Sequence, residues 1–155
     1  SWCGRSAAYL GKDSAELQEC LERFDLFGQH FGVAFQMADD LLDLQKLESG
    51  KTPFADIRNK NPNYPLILAQ NLDSGFREKL RQAWQSDSPL TERTIQSLGA
   101  HCISTGAANQ TLDCIHREVQ LALEALGDYK NRIGCREIAT WAEQIWKRFR
   151  HLEAV

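Results

Sequence analysis

The chain has 155 residues, 43% of them hydrophobic and 25% charged, with a formal net charge of −3. That length suffices for one domain with a real core, and the weak negative charge leaves no electrostatic footprint for nucleic acid or an acidic membrane surface. No apolar run approaches the length of a membrane span, so an integral membrane protein is not expected.

Helical periodicity runs almost throughout, and no stretch alternates as a half-buried strand would. The chain starts at Ser1 and its single methionine is Met37, so it reads as a piece of something longer. Asp13 followed by Glu16 has the form of a capping box. Leu17, Leu21, Phe24, Phe27 and Phe31 then keep a spacing of three or four, which predicts one long helix, or two joined by a kink, over about 14–46. Gly28 and Gly32, one turn apart, predict close packing against a neighbouring helix. In "LESGKTPFADIRNKNPNYP", Gly50, Pro53, Pro62 and Pro65 mark a long loop. Further helices are predicted over 66–71, over 74–86 with Asp73 as cap, and over 92–105 with Thr91 as cap. The next runs over 107–126 and closes at Gly127. The last covers 133–152, with Lys147, Arg148 and Arg150 near its negative dipole end. The expectation is a single all-helical domain over 1–155. The five cysteines, Cys3, Cys20, Cys102, Cys114 and Cys135, form an odd set without a C-x-x-C pair. They argue against a disulfide framework or a zinc site, suit a reducing cytoplasm, and read as small buried hydrophobes.

One stretch of the first helix is unusual. In "FGVAFQMADDLLDL", Gln36, Asp39, Asp40 and Asp43 fall within an arc of roughly 100°. Phe35, Met37, Leu41, Leu42 and Leu44 occupy the remainder, and no lysine or arginine stands between Arg23 and Lys46. Three carboxylates on consecutive turns repel each other unless a cation sits among them. Oxygen ligands of this kind suit a hard cation, Mg²⁺ or Mn²⁺, and leave positions for water and phosphate oxygens. Lys51 and Lys60 follow in the loop, placed to fold back over the same ligand. Spacing alone leaves two readings open, a metal site and a solvated acidic helix face.

These residues carry a family resemblance. "GVAFQMADDLLDL", then Gly50–Lys51, Asp56 and "YPLILA" at 64–69, resembles the second aspartate-rich motif and following loop of the trans-isoprenyl diphosphate synthase (polyprenyl synthetase) family. "GAANQTLDCIHREVQLALEAL" and "CREIATWAEQIWKRF" resemble that family's penultimate helix and closing segment. The resemblance implies the C-terminal half of an all-α, isoprenoid synthase-type helical bundle. It implies a prenyltransferase that joins an allylic prenyl diphosphate to isopentenyl diphosphate by Mg²⁺-assisted ionisation. It also implies roles. Asp39 is the principal metal ligand, with Asp40 and Asp43 supporting it. Phe35 and Gln36 line the substrate cavity, and Lys51 contacts the allylic diphosphate.

The sequence departs from the family in two places. Where the family carries a lysine and, two residues on, a threonine, this chain has Asn61 and Asn63; Lys60, one residue early, is the candidate substitute. The first aspartate-rich motif is absent. The chain is therefore expected to be inactive alone and to associate with the N-terminal half of the same enzyme and with further copies of itself. The alternative is a non-catalytic partner subunit of a heteromeric prenyl synthase, against which the intact Asp39, Asp40, Asp43 and Lys51 argue. A terpene cyclase would carry a different metal motif. His30, His101, His116 and His151 share no metal-ligand spacing. Trp141 and Trp146 read as packing inward rather than as a membrane-surface anchor.

Overall fold

The computed structural model describes residues 14–44 and 53–149, and among these there is no strand. Seven α-helices follow in order: α1 (Ser14–Leu44), α2 (Ala55–Asn59), α3 (Tyr64–Leu72), α4 (Ser74–Gln85), α5 (Glu92–Ser104), α6 (Ala107–Leu126) and α7 (Cys135–Phe149). A 3₁₀ turn, Gly127–Asn131, joins the last two. No described helix is long and apolar enough to cross a membrane.

The chain divides into two compact units, Ser1–Gln36 with Cys114–Val155, and Met37–Asp113. In the first unit, Cys20, Leu21 and Tyr129 form a buried cluster with Leu17, Phe24 and Cys135 packed against it. The α6 positions Ile115, Val119, Ala122 and Leu126 are buried at three- or four-residue spacing, as the core face of a helix requires. Arg23 reaches across to the end of α6, where its Nη1 donates to the Ala125 carbonyl at 3.4 Å. Gly127 there has φ +51, and an added Cβ would lie 2.4 Å from that same nitrogen. A side chain would meet both backbone strain and the guanidinium. His30, on α1, holds Glu118 of α6 at 2.7 Å. Gly32 does not fit the expected close helix packing: it is exposed, and apart from its chain neighbours and its own helix backbone no heavy atom lies within 4 Å of the position its Cβ would take.

In the second unit the buried residues Leu41, Leu44, Ile57, Leu66, Phe76, Leu80, Ile95 and Leu98 come from five helices. Its helix starts are set by side-chain caps. The Asn63 carboxamide oxygen accepts from Leu66 N–H at 3.0 Å, which starts α3 at Tyr64 rather than at 66. Asp73 accepts from Phe76 N–H at 2.9 Å, and Thr91 Oγ1 from Thr94 N–H at 3.2 Å. Cys20 and Cys102 are buried as expected, but Cys114 and Cys135 are only half-buried. Burial pushes the Cys102 thiol up to about 12, so it behaves as a hydrophobe.

Asp73 also receives His101 Nε2 at 3.0 Å, and the Phe76 ring meets that imidazole edge-on at 5.4 Å. The Phe76 N–H first, and then His101, hold the Asp73 carboxyl below its ordinary value of 3.8. A depressed carboxyl contributes stability above its unfolded pKa and loses it as pH falls through the folded one. Asp73→Asn, which keeps a capping oxygen, is expected to flatten the acid limb of the stability profile below about pH 4. Thermal melts across that range check this; an unchanged acid limb would remove Asp73 from the account.

Candidate metal and diphosphate site

The three aspartates of α1 do different things. Asp43 is half-buried and faces the start of α2. Its Oδ1 accepts from Ala55 N–H at 2.8 Å and its Oδ2 from Asp56 N–H at 3.0 Å, while its backbone carbonyl accepts from Phe54 N–H at 2.9 Å. A five-residue helix is too short to stabilise itself, and its first N–H groups need external partners. Asp43, twelve residues upstream, supplies them. The far end of α2 is closed by Trp84, whose Nε1 donates to the Ile57 carbonyl at 3.1 Å. Lys60 takes a left-handed conformation there, with φ 57, and its N–H returns to Asp56 and Ile57.

Burial raises the Asp43 carboxyl above its ordinary value. The Asp56 N–H opposes this and the Asp56 charge adds to it; the Ala55 N–H and the Asp39 charge follow in the same opposed senses. Asp40 Oδ2 accepts from Tyr64 N–H at 2.9 Å, at the first residue of α3. Two of the three carboxylates thus fasten the downstream loop and helix to α1. Asp39 is exposed, and among the described residues its carboxylate has no hydrogen-bond or ion-pair partner.

Phe35 and Gln36 stand on the same helix just before Asp39, both exposed, with Phe35 at 58%. Phe31 tilts against Phe35 with ring centroids 6.4 Å apart. Lys51 lies outside the described residues. Lys60, expected over the diphosphate, is engaged elsewhere. Its Nζ donates to the carbonyls of Trp84 at 3.0 Å and Ser86 at 2.8 Å, at the C-terminal end of α4. The ammonium satisfies terminal carbonyls and meets the negative end of the helix dipole. Lys60→Ala is expected to lower stability by about 0.3–1 kcal/mol, read by urea denaturation.

Sequence reasoning missed Asn63. It is 5% exposed. Besides capping α3, its Nδ2 donates to Asp56 Oδ2 at 2.8 Å. Asparagine can cap as threonine does and can also donate, so it ties the end of the loop to α2. The signal was available in the N-x-x-L spacing before an apolar run.

Among the described residues no group of three His, Cys, Asp or Glu side chains is gathered to hold a metal ion. The donor chemistry of Asp39, a hard and uncommitted carboxylate oxygen with a second negative charge at Asp43, fits one edge of a Mg²⁺ or Mn²⁺ site.

The polyprenyl synthetase family model matches residues 3–101. A geranylgeranyl diphosphate synthase of Mycobacterium tuberculosis is 27% identical over 128 residues, covering 81% of this chain and 35% of that protein. A prenyl transferase of Porphyra purpurea is 34% identical over 122 residues, covering 77% of this chain and 35% of its own. The crystal structure of geranylgeranyl pyrophosphate synthase from Corynebacterium glutamicum, complexed with calcium and isoprenyl diphosphate, superposes with a TM-score of 0.68 at 24% identity. It covers 84% of this chain and 40% of that one, and places the chain in the all-α isoprenoid synthase fold. The chain spans about a third of the length of the relatives it matches.

Proposed function

The chain belongs to the polyprenyl synthetase family, and from that premise we propose that it supplies the second aspartate-rich half of a trans-prenyltransferase site. The whole protein would condense an allylic prenyl diphosphate with isopentenyl diphosphate. The observation that carries this reading is the division among the aspartates: Asp40 and Asp43 are engaged by backbone N–H groups, and Asp39 is left exposed beside them.

Asp39 is the principal ligand for Mg²⁺, with Mn²⁺ as a substitute. Asp40 and Asp43 support it by fixing the segment that follows Lys51. A divalent ion held by Asp39 would supply positive charge to the leaving diphosphate when the allylic C–O bond ionises. Lys51 adds positive charge at the same group. Phe35 and Gln36 line the cavity on the preceding turn. Phe35 presents an apolar, π-rich face to the prenyl chain, and Gln36 presents a polar one. We assign Lys60 to helix capping rather than to substrate. The proposed setting is a reducing cytoplasm, in keeping with the odd cysteine count.

The remaining metal ligands and the isopentenyl diphosphate site come from an N-terminal half, and the assembled protein associates further with copies of itself. The 155-residue chain alone is then inactive. Intact mass spectrometry of the purified sample, with a search for a co-purifying second polypeptide, comes first. With the N-terminal half present, Mg²⁺-dependent incorporation of labelled isopentenyl diphosphate is expected. Transfer that persists in EDTA, or none with both halves present, would overturn the reading.

A further inference from the structure

A groove of about 440 Å³ lies between α4 and α5, inside the Met37–Asp113 unit. Lys79 and Gln82 line it from α4, and Arg93, Thr94, Ser97 and Leu98 from α5. None of its lining side chains is acidic. The acids beside these positions are engaged by other cations. Glu78 holds Arg81 at 2.7 Å and also takes the Gln82 amide, and Glu92 holds Arg58 at 2.7 Å. The Arg81 guanidinium and then the Gln82 amide hold the Glu78 carboxyl at about 2, and the Gln96 amide, then Arg58, hold Glu92 below its ordinary value. Among the described residues neither Lys79 nor Arg93 has a hydrogen-bond or ion-pair partner.

The groove is the electrostatic inverse of the aspartate face. Two like charges line one cavity with no counter-charge on its walls, an arrangement stabilised by an anion between them. Arg93 offers a planar fork and Lys79 a mobile ammonium, with the Ser97 hydroxyl on the same wall; the Gln82 amide is turned to Glu78 and Thr94 Oγ1 to Thr91 Oγ1. Buried Leu98 closes the floor. The volume exceeds that of a single halide and accommodates a small tetrahedral or double-tetrahedral oxyanion.

We propose that the groove between α4 and α5 is a metal-independent site for a small phosphate-bearing anion, held by Lys79 and Arg93. It differs from the aspartate face, which needs a divalent cation to accept a diphosphate at all. Titration calorimetry of the 155-residue chain with inorganic diphosphate, in EDTA, separates the two. Saturable binding is expected, weakened on the order of tenfold or more in Lys79→Ala/Arg93→Ala and weakened by added salt. Asp39→Ala should bind as the parent does. A methyl phosphate and a methyl diphosphate titrated alongside identify the source: tighter binding than the inorganic ions assigns the groove to a phosphate ester, equal binding to the free ion. Both side chains are exposed, so the double variant should fold; circular dichroism verifies this, and Lys79→Gln/Arg93→Gln is the second variant. No saturable binding in EDTA, or undiminished binding in both folded double variants, would overturn the proposal.

Discussion

Asp39→Ala is expected to abolish prenyl transfer by the assembled enzyme, a loss on the order of a thousandfold or more, without moving the thermal midpoint. Both halves follow from one observation. The Asp39 carboxylate is exposed and makes no hydrogen bond or ion pair with a described residue, so the fold does not depend on it. On the proposed reading, this exposed carboxylate beside Asp40 and Asp43 serves a cation. Asp43→Ala should show the opposite signature. It removes the acceptors of two backbone N–H groups and leaves the start of α2 unsatisfied, at about 1–3 kcal/mol. Asp43→Asn retains one acceptor and relieves the repulsion from Asp56 and Asp39, so it should be milder than alanine. Scanning calorimetry and Mn²⁺ binding followed by electron paramagnetic resonance distinguish the two aspartates. Asp39→Ala should lose the metal signal at full stability. A stable Asp39→Ala enzyme that still transfers prenyl groups would sink the assignment.

Residues acting within four positions of their own element were legible in the sequence. Asp73 and Thr91 read as caps and act as caps, because a capping side chain reaches only the next turn. The acidic arc on α1 was legible for the same reason: helical periodicity alone places its members. The labour divided among its members was not. Asp43 caps a helix twelve residues on and Asp40 meets Tyr64 twenty-four residues on, and no local pattern encodes either contact. Helix α2 was read as loop because five residues between two prolines give periodicity nothing to register. Trp84 and Asp43, distant in sequence, satisfy its ends. Lys60 was placed over the diphosphate by its position in the loop, whereas a nearby set of orphan helix carbonyls claims it. Gly32 misled in the same way: it suggested close packing and has open space around it.

The close approach occurs instead at Gly99, and Gly99→Ala should disturb the aspartate face from the other side of its unit. Gly99 is buried on α5, and an added Cβ would lie 2.4 Å from the Phe54 ring. In an exposed helix this substitution would stabilise by roughly 1 kcal/mol. Here the ring has nowhere to go. Phe54 is 5% exposed, its backbone is already left-handed at φ 59, and its N–H is bonded to the Asp43 carbonyl. Overpacking of this kind costs about 1–3 kcal/mol, so the net effect should be destabilising. Phe54→Leu removes most of the opposing ring, and the two changes together should destabilise by less than their sum, because they share one contact. A double-mutant cycle in urea measures that coupling. The effect reaches chemistry through the backbone: displacing Phe54 shifts the neighbouring N–H groups of Ala55 and Asp56 that Asp43 holds. In the assembled enzyme Gly99→Ala should therefore raise the metal concentration needed for half-maximal transfer, and Phe54→Leu should partly restore it. Additive stability losses, or an unchanged metal dependence in a destabilised Gly99→Ala, would break the link between this packing contact and the aspartate face.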